Sequence, residues 1–234
     1  MHEFLCTAHP SLNSALVQAF IKNSLCSWPD AMRFRYKWSS ALHFIDTPDF
    51  SCNFNYNHNL TEALLFLAHI VGDIHQIEIR RRKGFTSDLG GNTIEVHWYL
   101  RVFNLHHIWD DEIIATANER FYNDSINSFV EDIGRNITEG HWNEEIIKWA
   151  NCPNDGLACP DTYASEGISL ACKWAYRNAT PGAYLADDYF LTRMPIVKMR
   201  LAQGGVRLAA ILNRIFGQDQ VHELISVILR SLAR

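Results

Sequence analysis

No stretch of these 234 residues reaches the roughly 18 uncharged apolar positions that a transmembrane helix needs, so no membrane partner is expected. The chain also lacks a basic excess: 21 Lys and Arg stand against 26 Asp and Glu, for a net charge of -5. That excludes a surface built to coat polyanions, although it leaves a nucleic-acid substrate open, because bound metal ions supply local positive charge. Charged residues are scarce (20%) and apolar ones plentiful (47%), which excludes disorder and predicts a globular chain with a sizeable core. None of the six cysteines forms a Cys-x-x-Cys pair, so a cysteine zinc site is not expected. There is no repeat and no low-complexity tract. The opening MHEFLCTAHPSLNSALVQAFIKN has no basic stretch followed by an apolar core, so no signal peptide is expected. Scattered cysteines and four Asn-x-Ser/Thr sequons, at Asn59, Asn123, Asn136 and Asn178, nevertheless lean towards a secretory origin.

What the chain does have is one pattern twice. His69 and Asp73 stand in LFLAHIVGDIHQ, and His106 and Asp110 stand in NLHHIWDD. On a helix, i and i+4 share a face one turn apart, and a neutral imidazole with a carboxylate forms two arms of a zinc site. The first pair lies in a strongly apolar run, where a carboxylate without a partner is costly. The pattern points to metal-assisted hydrolysis. Spacing alone leaves a second reading open, in which all four are ordinary core and surface residues.

Periodicity predicts a mainly α chain: helices over Leu60–Gln76, His106–Tyr122, Ser125–Ile137 and Glu166–Arg177, one long helix or two over Tyr189–Phe216, and a short one over Val221–Leu232. Residues 84–92 read as a loop, Thr93–Val102 as a strand or hairpin arm, and Cys152–Asp161 as a loop closed by cysteines. A single domain over 1–234 is expected, with 1–25 a divergent segment and 217–234 a tail helix. Further polar groups sit in apolar frames: Asp30 and Arg33 in SWPDAMR, His43, Phe44 and Asp46 in ALHFIDTPDF, and His75, His107 and Asp111 beside the two pairs. The run Arg80 to Lys83 reads as a solvated loop, with a phosphate track as its rival.

The strings CSWPDAMRFRYKWSSALHFIDTPDF, NLTEALLFLAHIVGDIHQ, GFTSDLGGNTIEVHWY, NLHHIWDDEI, YASEGISLACKWAYRNATPG and MPIVKMRLAQGGVRLAAILNRIF resemble the plant bifunctional endonucleases, which belong with mung bean nuclease and the fungal single-strand-preferring nucleases. The resemblance runs from Cys26 to Phe216. It implies a helical domain of the zinc-dependent phospholipase C/nuclease type with a small β-hairpin and up to three zinc ions. By resemblance, Asp30, His43, His69 and Asp73 hold the first zinc, His106 and Asp110 contribute to the second, and Asp73 also serves the reaction. Arg33 stabilises the pentacoordinate phosphate, and Phe44 and Asp46 hold a nucleobase. The implied substrates are single-stranded DNA and RNA, cut to 5′-phosphorylated products by a monomeric enzyme that is secreted or resides in the vacuole or endoplasmic reticulum. The resemblance also implies disulfides Cys152–Cys159 and Cys52–Cys172.

Two departures carry expectations. The resemblance places a histidine, the second zinc's third ligand, where this chain has Ile79, and a processed Trp terminus where it has MHEFLCTAHPS. A weakly held second zinc, no third zinc and reduced turnover are therefore expected. The alternatives are a non-catalytic remnant holding one zinc, or a phospholipase-C-like phosphoesterase.

Overall fold

The computed structural model of the chain describes residues 60–77, 89–153 and 156–216. Its first helix, α1 (Leu60–His75), realises the apolar run: Leu64, Leu65, Phe66, Ala68, Val71 and Ile74 are buried, and so are His69 and Asp73. A helix that is apolar on nearly every side has no solvent face to offer and becomes a core element.

β1 (Glu95–Trp98) and β2 (Arg101–Asn104) make an antiparallel hairpin with Glu95 opposite Asn104 and Trp98 opposite Arg101. The strand or hairpin arm expected over 93–102 is therefore the first arm of a hairpin, its turn at Tyr99 and Leu100, and the start of the second. Tyr99 adopts φ +52°, a left-handed conformation that costs a non-glycine residue about 1–2 kcal/mol. Its hydroxyl donates to Asp187 at 2.7 Å, and the Arg120 guanidinium lies 4.8 Å over its ring, which holds the turn in place. A third strand that the sequence did not announce, β3 (Tyr184–Leu185), runs parallel to β1 and gives the order β2-β1-β3.

The hairpin leads directly into the second His-x-x-x-Asp segment. Asn104 ends β2 and caps α2 (Leu105–His107), its side chain accepting from the His107 amide at 2.7 Å. The helix continues through a π-helical turn, Ile108–Glu112, into α3 (Ile113–Tyr122), as the expected helix over 106–122 requires. Then come α4 (Ile126–Thr138), capped by Ser125, a 3-10 turn (Asn143–Glu145) and the short α5 (Ile146–Ala150). The helix expected from Glu166 begins earlier, as α6 (Pro160–Leu170), and runs on into a π-helical turn, Ala171–Ala175. Pro160 stands in its first turn, where a missing N–H costs nothing.

α7 (Asp187–Phe216) is one helix of 30 residues, about 45 Å long, with an exposed Pro195 inside it. It packs against α1, α3, α4 and α5, while α1 also packs against α6. Proline in a helix interior costs about 3 kcal/mol; burial of Tyr189 and Phe190 before it and of Val197, Leu201 and Ala202 after it keeps the helix continuous. Tryptophans anchor the seam between these layers. Trp109 donates to the Tyr189 hydroxyl at 2.8 Å, which donates in turn to the Ala175 carbonyl at 2.7 Å. No described helix is long and apolar enough to cross a membrane.

Candidate metal centre

Both His-x-x-x-Asp pairs are helical, and both close. His69 Nε2 lies 3.2 Å from Asp73 Oδ2, deep in α1, with the two residues 2% and 6% exposed. His106 Nε2 lies 3.0 Å from Asp110 Oδ2, half-buried where α2 enters the π-helical turn. Two zinc bonds of ~2.0–2.2 Å at a tetrahedral angle put the bonded atoms ~3.3–3.6 Å apart. Both pairs stand within a few tenths of an ångström of that span, and their nitrogen and carboxylate oxygen are the atoms zinc takes in hydrolases. The residues present fit the metal as paired arms.

The second pair is also held from the far side of its ring. His106 Nδ1 lies 3.1 Å from the Gly90 carbonyl. A carbonyl only accepts, so the ring proton sits on Nδ1 and Nε2 presents its lone pair to the Asp110 carboxylate. Two electron-pair donors 3.0 Å apart share a cation, either a proton or a metal. Fixing the far nitrogen on a backbone carbonyl is how metal-binding histidines are commonly oriented. The Gly90 carbonyl reaches His106 because the turn before β1 takes three successive positive φ values, at Leu89 (46°), Gly90 (69°) and Gly91 (81°). Two of those three positions are glycine, which pays no Cβ penalty there.

Neighbouring His107 is placed differently. Its Nδ1 lies 3.1 Å from Asp111 Oδ2 and its Nε2 3.3 Å from Glu112 Oε1, so carboxylates engage both ring nitrogens. His75, counted in the sequence among the groups that could serve a metal, does not face one. It is fully buried, its Nδ1 donates to the Val71 carbonyl at 2.6 Å, and its Nε2 accepts from Arg207 at 3.0 Å. Burial holds its pKa well below the ordinary histidine value, with Arg200 adding to the effect, so the ring is neutral.

Asp30, Arg33, His43, Phe44, Asp46 and Ile79 lie outside the described residues, as do Arg80 to Lys83. Among the described residues no three His, Cys, Asp or Glu side chains converge on one point. The Cys152–Cys159 disulfide is present. Cys172 is exposed, and its expected partner Cys52 lies outside the described residues. Of the sequons, Asn123 and Asn178 are exposed turn residues with positive φ, whereas Asn136 sits within α4 and donates from its side chain to the Asp132 carbonyl at 2.9 Å.

The sequence reading missed a polar cluster behind α1. Arg200 and Arg207, both on α7 and both buried, share the Glu166 carboxylate of α6. Burial works to raise the Glu166 carboxyl, but Arg207 and Arg200 outweigh it and hold the group below the usual carboxylate range. The signal was present: Arg200, Gln203 and Arg207 recur at i, i+3 and i+7 on an otherwise apolar helix, so they share one face.

The model of the S1/P1 Nuclease family matches residues 51–217. "Endonuclease 4" of Arabidopsis thaliana is 45% identical to this chain over 238 residues, covering 85% of this chain and 78% of that protein. "Endonuclease 2" of the same plant is 47% identical over 232 residues, covering 83% and 78%. "Nuclease P1" of Penicillium citrinum is 25% identical over 233 residues, covering 84% and 85%.

Proposed function

The chain belongs to the S1/P1 nuclease family, and we propose that it is a zinc-dependent endonuclease of single-stranded DNA and RNA that leaves 5′-phosphorylated ends. The observation that carries this reading is the pair of closed His-x-x-x-Asp arms, at 3.2 and 3.0 Å, in a chain of nuclease descent. His69 and Asp73, with Asp30 and His43, hold one zinc; His106 and Asp110 hold a second. Zinc, when bound, supplies Lewis-acid stabilisation of charge building on a phosphodiester and acidifies water towards neutrality.

The residues themselves do the following. Buried α1 keeps the His69 and Asp73 arms rigid and excludes bulk water from that side. The Gly90 carbonyl holds the proton on His106 Nδ1, so Nε2 remains a donor to metal. Arg33 neutralises negative charge growing on the phosphate. Phe44 stacks on a nucleobase and Asp46 accepts hydrogen bonds from it; such stacking is sequence-tolerant and worth ~1–3 kcal/mol per base. A base still stacked in a duplex is not open to stacking on Phe44, which gives the preference for single strands. Ile79 stands where resemblance places the second zinc's third ligand, so the second ion is held weakly and turnover is reduced. Action outside the cell or in the vacuole or endoplasmic reticulum, as a monomer, completes the reading.

The test is cleavage of circular single-stranded DNA by the full chain with added zinc, followed by end analysis. The reading expects linear products with 5′-phosphates, slower cleavage of duplex, and loss of cleavage on chelation. Cleavage that survives chelation would overturn it. Hydrolysis of a choline phosphoester in preference to DNA would favour the phosphoesterase instead.

A further inference from the structure

The C-terminal end of α1, two residues beyond Asp73, is gripped from two other helices. A helix leaves its last four carbonyls without partners inside the helix. Here the Ile74 carbonyl accepts from Arg200 Nη2 at 3.3 Å, and the His75 carbonyl accepts from Arg200 Nε at 3.1 Å. The Asp73 carbonyl accepts from the Gln76 amide at 3.0 Å. The same guanidinium reaches the Tyr163 carbonyl of α6 at 3.1 Å and, through Nη1, Glu166 at 2.9 Å and Gln203 at 2.8 Å. Arg207 then holds Glu166 with both of its terminal nitrogens, at 2.7 and 2.8 Å, and holds the ring of His75 at 3.0 Å.

The charge count explains why this cluster belongs at the end of a helix. Two buried guanidinium groups share one carboxylate, which leaves an excess of one positive charge. A helix C-terminus is the partner for such an excess, because its free carbonyls carry partial negative charge. α6 lies against this end of α1 at Gly167, where a Cβ would be in ordinary van der Waals contact, 3.4 Å from the Gln76 carbonyl and 3.5 Å from Arg200 Nη2.

We propose that Arg200, Arg207 and Glu166 are positioning residues for zinc: by fixing the last turn of α1 from α6 and α7, they hold Asp73 in register with His69. The inference rests on the reading that His69 and Asp73 bind the metal. Metal arms must be held within ~0.5 Å of their productive geometry. The 3.2 Å approach of Asp73 to His69 depends on a helical turn that has only two residues left after Asp73. Groups hydrogen-bonded directly to metal ligands typically cost 10–100-fold in metal affinity when changed, which sets the upper scale for support given through the backbone.

The test measures zinc affinity of the full chain by competition with a chromophoric chelator, at a temperature where each variant keeps its helical circular dichroism, beside the melting temperature. Arg200→Lys removes the fork from the Ile74 and His75 carbonyls but keeps the charge. Glu166→Gln, nearly isosteric, is the second variant should Arg200→Lys fail to fold. Arg193→Lys is the control: Arg193 is also buried on α7 but donates to the Trp174 and Arg177 carbonyls, away from α1. His69→Ala identifies the site being read. The proposal expects about 10- to 100-fold weaker zinc binding in Arg200→Lys and Glu166→Gln, and a lowered melting temperature with unchanged zinc affinity in Arg193→Lys. If His69→Ala weakens zinc while Arg200→Lys and Glu166→Gln leave it unchanged, or if Arg193→Lys weakens it equally, the positioning role is wrong and the metal reading stands. If His69→Ala binds zinc as the parent does, the metal reading falls and takes the inference with it.

Discussion

Replacing His69 by alanine separates what that side chain does for the fold from what the proposed zinc site asks of it. His69 is buried, 3.2 Å from an equally buried Asp73. Without metal, removing one partner of a buried polar pair costs about 1–3 kcal/mol. With metal the loss is larger. Zinc bound by four protein ligands contributes roughly 10–16 kcal/mol, or roughly 2.5–4 kcal/mol per ligand. At 1.4 kcal/mol per decade that is about a 10²- to 10³-fold weaker affinity. The consequence shows in thermal melts. At free zinc about 1,000 times the parent's dissociation constant, binding stabilises the parent by about 4.1 kcal/mol. If the affinity of His69→Ala falls 10³-fold, the same zinc sits at its dissociation constant and stabilises it by only about 0.4 kcal/mol. Calorimetric melts with and without zinc read both values. A variant that melts lower without zinc yet gains as much from zinc as the parent would refute the reasoning, because His69 would then be a core residue and nothing more.

Ile79→His supplies the donor expected for the second zinc and should raise cleavage of single-stranded DNA at fixed zinc; unchanged cleavage would argue that a different group completes that site. The Cys152–Cys159 bridge closes a loop of sequence separation 7, and the loop-entropy relation gives about 2 kcal/mol for that length, so the double alanine variant should lose about that much in urea melts. Glu166 has a depressed pKa in the folded state, so its contribution is complete above its ordinary value of about 4.5 and is lost as pH falls through the lower folded value. The stability gap between the parent and Glu166→Gln should therefore be constant from pH 7 to about pH 5 and narrow below it; a gap that widens on acidification would contradict the ion-pair account.

Helix positions were largely legible, because α1, α3, α4 and α7 each carry a strong apolar period. The pairing of His69 with Asp73 and of His106 with Asp110 was legible for the same reason, since i,i+4 spacing becomes adjacency once the segment is helical. What escaped was set by tertiary contact. β3 is two residues long and exists only because Tyr184 and Leu185 lie beside His97 and Trp98. The start of α6 at Pro160 was hidden because Cys152–Asp161 reads as loop composition throughout. His75 looked like one more metal donor in a histidine-rich run; only the arrival of Arg207, 132 residues away, shows that its ring belongs to the core. The orientation of His106 by Gly90 was equally invisible, although the Gly-Gly pair announced a turn there.

Anomalous scattering at the zinc edge, from crystals of the full chain grown with zinc, tests the central claim most directly. The account predicts a strong zinc peak ~2.0–2.2 Å from His69 Nε2 and an Asp73 carboxylate oxygen, with the Asp30 and His43 side chains at the same peak, and a weaker one between His106 Nε2 and Asp110. Zinc peaks only at surface histidines, with the His69–Asp73 pair closed on itself and no metal between, would contradict it.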